Sequence, residues 1–137
     1  MKKITPTNEI YVGASKVKGA GRGVFAAKRI QKGEIIESCP VVEITEKEAS
    51  LLRKTELKNY YFLWGSDLKK VALCLGFGSI YNHSYSPNAT YNKRTKERLI
   101  DFVAIKDINK DEEITVNYNF GKPDDKSPLW IKSIKTP

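Results

Sequence analysis

The 137-residue sequence lacks several features that would assign it to a broad class of protein. It has no apolar run near the roughly 20 residues that cross a bilayer, so no membrane span is predicted. Its opening residues, MKKITPTNEIYV, contain two lysines but no apolar segment, so they do not indicate a secretory signal. These absences favour a cytoplasmic protein, with the interior of a host cell or a nucleus as alternatives.

Cysteine and histidine are scarce. The chain has two cysteines, Cys39 and Cys74, and a single histidine, His83. Both cysteines lie in apolar runs and neither belongs to a CxxC pair, so they are predicted to be buried, reduced thiols. Because zinc sites need several clustered ligands, this sparse set predicts no metal site.

The composition is that of one globular domain with an excess of positive charge. The length is near the commonest domain size, and 40% of the residues are hydrophobic and 29% charged. The formal net charge of +8 favours acidic partners such as nucleic acid or an acidic protein surface. The lysines are spread along the chain, however, and a solvated basic surface is the simpler interpretation.

Short runs rich in β-branched and aromatic residues alternate with turn signals, which predicts a mainly β domain. The clearest helix begins after Thr45, because Thr45 and Glu48 have the spacing of a capping box. A second short helix is predicted over 128–134 (PLWIKSI). Strands are predicted at 9–15, 23–30, 34–44, 70–76, 88–93, 98–105 and 112–120.

Three motifs combine residues with special conformational or hydrogen-bonding properties. GAGRG, residues 19–23, has alternate glycines, which permit positive φ and close approach of a ligand to the backbone, although a tight hairpin is the simpler alternative. NHSYSPN, residues 82–88, surrounds the only histidine with amides and a proline turn. EEITVNYNF, residues 112–120, predicts a strand with Tyr118 on its apolar face, where a packed core tyrosine is the alternative.

In this order, the three motifs resemble the SET domain family of protein-lysine methyltransferases, in the short single-domain form found in bacteria and viruses. The resemblance covers about residues 8–130. It implies a mainly β SET-domain fold of small curved β-sheets with one or two short helices. It also implies a knot-like C-terminal threading, in which EEITVNY passes beneath the NHS loop. The expected organisation is a single SET domain over 1–137, with a core at about 8–120 and a tail at 121–137 that closes the site.

The resemblance further implies an S-adenosylmethionine-dependent protein-lysine N-methyltransferase. Tyr118 matches the catalytic tyrosine beside the transferred methyl group. Trp130 is the loosest assignment, since ordinary packing of its ring is an equal alternative. The residues expected to bind the cofactor are Gly21, Arg22, Gly23, Asn82, His83 and Trp130.

The expected substrate contacts are Tyr91, Tyr61, Val116 and Phe120. Tyr61 belongs with Tyr60 and Phe62 to an aromatic run in the insert that family members use for substrate recognition, although core packing is the alternative. Tyr91 resembles a channel tyrosine of monomethylating members, and Val116 stands at the position that governs methylation multiplicity. Mainly monomethylation is therefore predicted, with Tyr91 as a plain strand residue being the alternative.

The sequence departs from the family pattern at two positions: Asn117 stands in place of the common Asp and Tyr85 in place of a frequent Cys. The zinc-binding cysteine clusters of many eukaryotic members are absent, so the tail is expected to close the channel. The expected partner is a protein or peptide lysine, a histone or histone-like protein being one candidate, with nucleic acid involved at most indirectly. No metal is expected.

The net charge of +8 conflicts with the acidic groove that binds lysine-rich tails. Three explanations are open. Local acidic residues shape the groove (Glu37, Glu43 and Glu46), the substrate is not a strongly basic tail, or the substrate sits on nucleic acid.

Two other functions compete with catalysis. One is a SET-like module that binds a peptide without turnover. The other is a small basic β-domain that binds nucleic acid, for which TYNKR, residues 90–94, is the one stretch that places an aromatic residue among basic ones.

Overall fold

The computed structural model describes residues 2–129. Within this range the chain forms nine strands, one α-helix (α1, Glu46–Leu52) and a 3₁₀-helix at Glu56–Asn59. In chain order the strands are β1 Ile10–Ala14, β2 Arg22–Ala26, β3 Ile35–Ile44, β4 Tyr61–Trp64, β5 Lys70–Cys74, β6 Asn82–His83, β7 Ala89–Arg94, β8 Leu99–Ala104 and β9 Glu113–Val116. The predicted mainly β class is confirmed. Among the described residues, no helix has the length and apolarity needed to cross a membrane.

The strands form two sheets. One sheet has four strands in the order β1-β2-β9-β6, and the other has five in the order β4-β5-β3-β8-β7. All the pairings are antiparallel except β6 with β9, which is parallel. Each predicted strand overlaps an observed one, although β2 begins and β7 ends one residue outside the predicted ranges. Two strands were not predicted: β4, whose residues, YFLW, were interpreted as an aromatic cluster, and the two-residue β6, which was interpreted as part of a loop. Residues 19–21 of the GAGRG motif lie in the turn of the β1–β2 hairpin, and Arg22 and Gly23 begin β2.

Helix α1 begins as the sequence predicts. The Glu48 amide donates to Thr45 Oγ1 at 3.3 Å, and the Thr45 amide donates to the Glu48 carboxylate at 3.4 Å, which completes the capping box. The helix is shorter than the predicted run, because Thr55 starts a separate 3₁₀ turn by accepting from the Leu57 amide at 3.2 Å. The helix predicted at 128–134 lies almost wholly outside the described residues.

The core draws on both sheets. Its largest fully buried side chains include Trp64, Tyr81 and Phe102. Cys39 and Cys74 are buried and free, as predicted. A hydrogen bond with Cys74 and burial both raise the pKa of the Cys39 thiol, so it stays protonated.

Strand β9 is held by side chains as well as by its neighbouring strands. The Asn88 amide donates to the Glu113 carbonyl at 2.9 Å and accepts from the Thr115 N–H at 2.9 Å. The Ser84 amide donates to the Val116 carbonyl at 3.0 Å. The NHSYSPN loop thus satisfies the backbone of β9 along its length. The knot-like threading itself stays a prediction.

We expect Asn88→Ala to lower the free energy of unfolding by about 2–4 kcal/mol, because two partly buried backbone groups of β9 lose their partner. The free energy of unfolding of Asn88→Asp should lie between those of Asn88→Ala and the native protein, since the carboxylate still accepts from the Thr115 N–H but cannot donate to the Glu113 carbonyl. Urea denaturation measures the difference. Asn92→Ala, at an exposed asparagine on the same strand region, is the control, and an equal loss there would contradict the prediction.

Candidate active site

Two open cavities share a wall. The first, called here the glycine-loop cavity, has a volume of about 460 Å³ and is lined by residues 19–22, Ile80 and Asn82. The second, called here the aromatic cavity, has a volume of about 540 Å³ and lies among Tyr61, Phe62, Tyr91 and Phe120. The residues that line both are Asn59, Tyr60, Ser79 and Tyr118.

The glycine-loop cavity owes its open wall to the β1–β2 turn. Gly21 has a φ of 77°, a left-handed conformation that favours glycine, and no atom lies within 4 Å of where its Cβ would be. Gly23 is needed for a different reason, since a Cβ there would lie 2.2 Å from Glu113 Oε1. One glycine therefore shapes the backbone of the turn, and the other makes room for a buried contact behind it.

The side chain of Asn82 holds this turn through hydrogen bonds. Its Nδ2 lies 2.9 Å from the Arg22 carbonyl, 3.1 Å from Ser15 Oγ and 3.0 Å from Glu113 Oε1. Glu113 accepts from the Ser15 hydroxyl at 2.6 Å and from the Lys16 amide at 3.0 Å. Ser15 and Glu113 were not predicted as site residues, because their contribution depends on contacts about 100 positions apart in the chain.

His83 supports the site by binding the backbone of Tyr118. Its fully buried ring accepts at Nδ1 from the Tyr118 amide at 3.0 Å, so a neutral ring carries its proton on Nε2. Nε2 is buried and has no hydrogen-bond partner among residues 2–129. Burial lowers the pKa of His83 to about 4, which keeps the ring neutral. The residue lines neither cavity and holds the backbone of Tyr118 in place.

Tyr118 stands where the two cavities meet. Its hydroxyl donates to the Tyr81 carbonyl at 2.7 Å, which leaves the oxygen lone pairs as acceptors. Burial raises the pKa of this hydroxyl well above its ordinary value, and Tyr91, Tyr60 and Glu113 add to the effect. The hydroxyl is therefore neutral at physiological pH and acts as a fixed polar group rather than as a base.

Tyr81, which receives that bond, is itself fixed in the core. Its ring stacks on Phe102 with centroids 4.3 Å apart, and its hydroxyl donates to Glu37 Oε1 at 3.0 Å. Glu37 also accepts from the Phe77 amide at 3.0 Å. Tyr81 was not predicted as a site residue, because it precedes the NHS motif and nothing in the pattern distinguishes it from an ordinary core aromatic.

The aromatic cavity is built largely from β4, β7 and the turn after β9. Phe62 packs edge-to-face on Tyr91, with centroids 5.1 Å apart at 75°. Phe120 has a left-handed φ of 57° and is 47% exposed, so part of its ring faces outward. The four predicted substrate contacts, Tyr61, Tyr91, Val116 and Phe120, all line this cavity.

The residues predicted to bind the cofactor are divided between positions at the glycine-loop cavity and positions behind it. Gly21, Arg22 and Asn82 line the cavity, whereas Gly23 and His83 are not among its lining residues. Trp130 lies outside the described residues. Tyr60, which the sequence placed only within an aromatic run, lines both cavities together with Tyr118.

The described part of the tail is tied to the two positions that depart from the family pattern. The Tyr85 hydroxyl donates to the Ser127 carbonyl at 2.9 Å, and Asn117 Nδ2 donates to the Asp125 carbonyl at 2.7 Å. Asn119 Nδ2 also donates to the Ser127 carbonyl, at 2.7 Å. Within residues 2–129 no group of three or more His, Cys, Asp or Glu side chains could hold a metal ion.

Two cavities that meet at one fixed tyrosine suit the transfer of a group between two ligands. The SET domain family profile matches residues 21–119, and the chain belongs to this family. A relative in Schizosaccharomyces pombe, named as a histone-lysine N-methyltransferase specific for H3 lysine-37, is 32% identical over 99 residues. That match covers 72% of this chain and 66% of the relative, so the chain spans slightly less than two thirds of the relative's length.

Solved structures agree with the family. A candidate histone methyltransferase of Plasmodium falciparum is 34% identical with a TM-score of 0.66, over 83% of this chain and 96% of that one. Polycomb repressive complex 2 of Chaetomium thermophilum gives 26% identity and a TM-score of 0.67, over 88% of this chain and 17% of that one. A ctPRC2 structure bound to S-adenosylmethionine has 25% sequence identity and a TM-score of 0.68, over 83% of this chain and 15% of that one. The predicted family and SET-domain fold are confirmed.

The depressed pKa of His83 predicts that acid destabilises the fold before most carboxylates titrate. The unfolded histidine has a pKa near 6.5 and binds a proton below it, whereas the folded ring stays neutral to about 4. Stability is therefore full above pH 6.5 and is lost as the pH falls towards 4. We expect the free energy of unfolding to be about 2 kcal/mol lower at pH 5 than at pH 7.5.

Urea denaturation at the two pH values measures this loss, and NMR titration of the single histidine assigns it. A folded-state pKa near 6.5 for His83 would contradict the prediction.

Proposed function

We propose that this chain is an S-adenosylmethionine-dependent protein-lysine N-methyltransferase. The observation that carries the proposal is the position of Tyr118, which lines both cavities at once. Ligands bound in the two cavities would meet beside its hydroxyl. The names of the relatives support the same reaction class.

The glycine-loop cavity fits the cofactor by its chemistry. The open backbone at Gly21 allows close approach, and the Arg22 guanidinium and Asn82 amide supply groups for a carboxylate and an amine. S-adenosylmethionine would supply a methyl group carried on a sulfonium. Gly23 and His83 support these contacts from behind, and Trp130 is proposed to cover the adenine ring.

The aromatic cavity would take the lysine side chain. The rings of Tyr61, Phe62 and Tyr91 attract a cationic amine and its alkyl chain, and they exclude water. Desolvation there lowers the pKa of the lysine from about 10.4, which favours the neutral amine that the reaction requires. The amine lone pair forms the new bond to the methyl carbon as the carbon–sulfur bond breaks. The neutral thioether would be the leaving group, and the lysine ammonium would lose one proton to solvent over the whole reaction.

Tyr118 would orient the reacting groups rather than carry a proton. Its hydrogen is already donated to the Tyr81 carbonyl, and its raised pKa keeps the hydroxyl neutral. The remaining lone pairs can accept from the amine or make a weak contact with the polarised methyl group. Alignment of this kind is the main contribution that an in-line transfer needs from the protein.

The partner would be a protein lysine. Histones are among the substrates to test, because one relative is named as a histone-lysine methyltransferase and a solved structure as a candidate histone methyltransferase. A module that binds a peptide without turnover is the second candidate. It would keep both cavities but lack transfer, so a transfer assay distinguishes it from the enzyme.

We expect Tyr118→Phe to reduce methyl transfer by about 100-fold or more, because the phenyl ring keeps the cavity shape but cannot orient the reacting groups. The assay uses labelled S-adenosylmethionine with histones and a panel of other proteins. Tyr11→Phe is the matched control, since Tyr11, on strand β1, loses only an exposed hydrogen bond to Asp111.

Undiminished transfer by Tyr118→Phe would overturn the assignment of Tyr118 alone. Cofactor binding without transfer to any protein would favour the binding module, and absence of cofactor binding would refute the enzyme.

The enzyme is also proposed to add mainly one methyl group. Tyr91 is buried, and both it and Val116 line the aromatic cavity. A Tyr91 hydroxyl bonded to the amine would leave less room for a methylated lysine to turn. We expect Tyr91→Phe to raise the fraction of di- and trimethyl product, measured by mass spectrometry of a peptide. Tyr61→Phe, which removes another tyrosine hydroxyl from the lining of the same cavity, should leave the product distribution unchanged. An identical shift in both variants would contradict the role of Tyr91.

A further inference from the structure

The aromatic cavity carries charge of one sign only. Its charged lining residues are Arg53, Lys58 and Lys93, and no aspartate or glutamate lines it. Among residues 2–129, no carboxylate lies within 4.0 Å of any of these three cations. The described lining of the proposed substrate cavity is therefore cationic, and the carboxylate beside it, that of Glu56, accepts from the lining residue Asn59 and forms no salt bridge with these cations.

The three acidic residues that the sequence suggested for shaping this groove do not line the cavity. The Glu37 carboxylate accepts from Tyr81 and Phe77. Glu43 accepts from the Trp64 indole N–H at 2.8 Å, and Glu46 begins helix α1 without lining either cavity. The sequence from 130 to 137 has two lysines and no aspartate or glutamate, so it offers no carboxylate side chain. The explanation that local acidic residues attract a basic tail does not fit these positions.

Lys93 is the most constrained of the three cations. Its ammonium donates to the Leu63 carbonyl at 2.6 Å and lies 5.3 Å from the centroid of the Phe120 ring. Partial burial lowers the pKa of Lys93, because desolvation disfavours its charged form. A carboxylate on a bound ligand would attract the Lys93 ammonium more strongly than it would attract a fully exposed lysine, because the effective dielectric constant is lower at a partly buried site.

We propose that the target lysine lies in an acidic segment of its protein, whose aspartate or glutamate side chains pair with Arg53, Lys58 and Lys93. This inference rests on the proposed methyltransferase function and narrows its substrate class. A lysine flanked by further basic residues would be repelled by three cations, whereas flanking carboxylates would offset that repulsion. The same cations would lower the pKa of the incoming lysine and so favour its neutral, reactive form.

Three synthetic peptides test the proposal. They share one central lysine and differ only in the two residues on each side, which are all Glu, all Ala or all Arg. We expect methylation efficiency, as kcat/KM at low salt, to fall in the order Glu, Ala, Arg, with about 10-fold between the first and the last. The difference should shrink as salt rises from about 50 to 300 mM, because exposed charges are screened.

Charge-reversed variants identify the residues responsible. Arg53→Glu combined with Lys58→Glu should reverse the order of the peptides, and Lys93→Met should weaken the preference for Glu. The matched control is Lys106→Glu combined with Lys110→Glu, which changes the net charge equally at exposed sites outside both cavities. This control should keep the native order.

Fluorescence-detected binding of the same peptides gives a second readout that does not require turnover. Preferred methylation or binding of the Arg peptide, or an order unaffected by Arg53→Glu with Lys58→Glu, would overturn the proposal. Transfer to the Arg peptide only when DNA is added would also overturn it and favour docking on nucleic acid. If peptides bind in the expected order but no protein is ever methylated, the acidic preference stands and the methyltransferase function fails.

Discussion

The pairing of strand β9 with the NHSYSPN segment is the interaction on which the rest of the structure depends. Residues 82–83 pair with 115–116 in the only parallel ladder among the described strands. Parallel neighbours cannot be joined by a tight turn, so this contact closes a long loop and carries a large entropic cost. Asn88 and Ser84 add side-chain and backbone bonds to the same strand. Amides are dense in this segment because a central strand flanked by a two-residue partner needs other groups to satisfy its backbone.

The same contact determines where Tyr118 lies. Its N–H donates to the ring of His83, the last residue of β6, and its hydroxyl donates to the carbonyl of Tyr81, the residue before β6. Both anchors therefore come from one short stretch of chain. Tyr81 is in turn fixed through Glu37 on β3, which belongs to the other sheet. The position of the Tyr118 hydroxyl thus depends on the packing of both sheets, and a displacement of either sheet would move it.

Local signals in the sequence predicted much of the fold and part of the site. The capping box at Thr45, the turn at GAGRG and the strands with β-branched residues depend on neighbours within a few positions, and the structure has them. The motif order predicted the family, which supplied the expected site residues. The contacts of Glu113 with Ser15 and of Glu37 with Tyr81 could not be predicted, because each joins residues 44 to 98 positions apart. The lone histidine shows the same limit: the motif indicated a hydrogen-bonding role for His83, but it did not identify the Tyr118 amide as the partner of the ring.

The two departures from the family pattern have a common physical consequence. Tyr85 and Asn117 both donate to carbonyls of residues 125–127, beside a third bond from Asn119. Each such bond contributes about 0.5–1.5 kcal/mol, whereas a structural zinc site contributes about 10–16 kcal/mol. A tail held by hydrogen bonds is therefore anchored by a few kcal/mol, an energy comparable to that of a ligand bound at millimolar strength. It follows that each of these three bonds can be removed singly at a cost of about 0.5–1.5 kcal/mol, whereas loss of one ligand would weaken a whole zinc cluster.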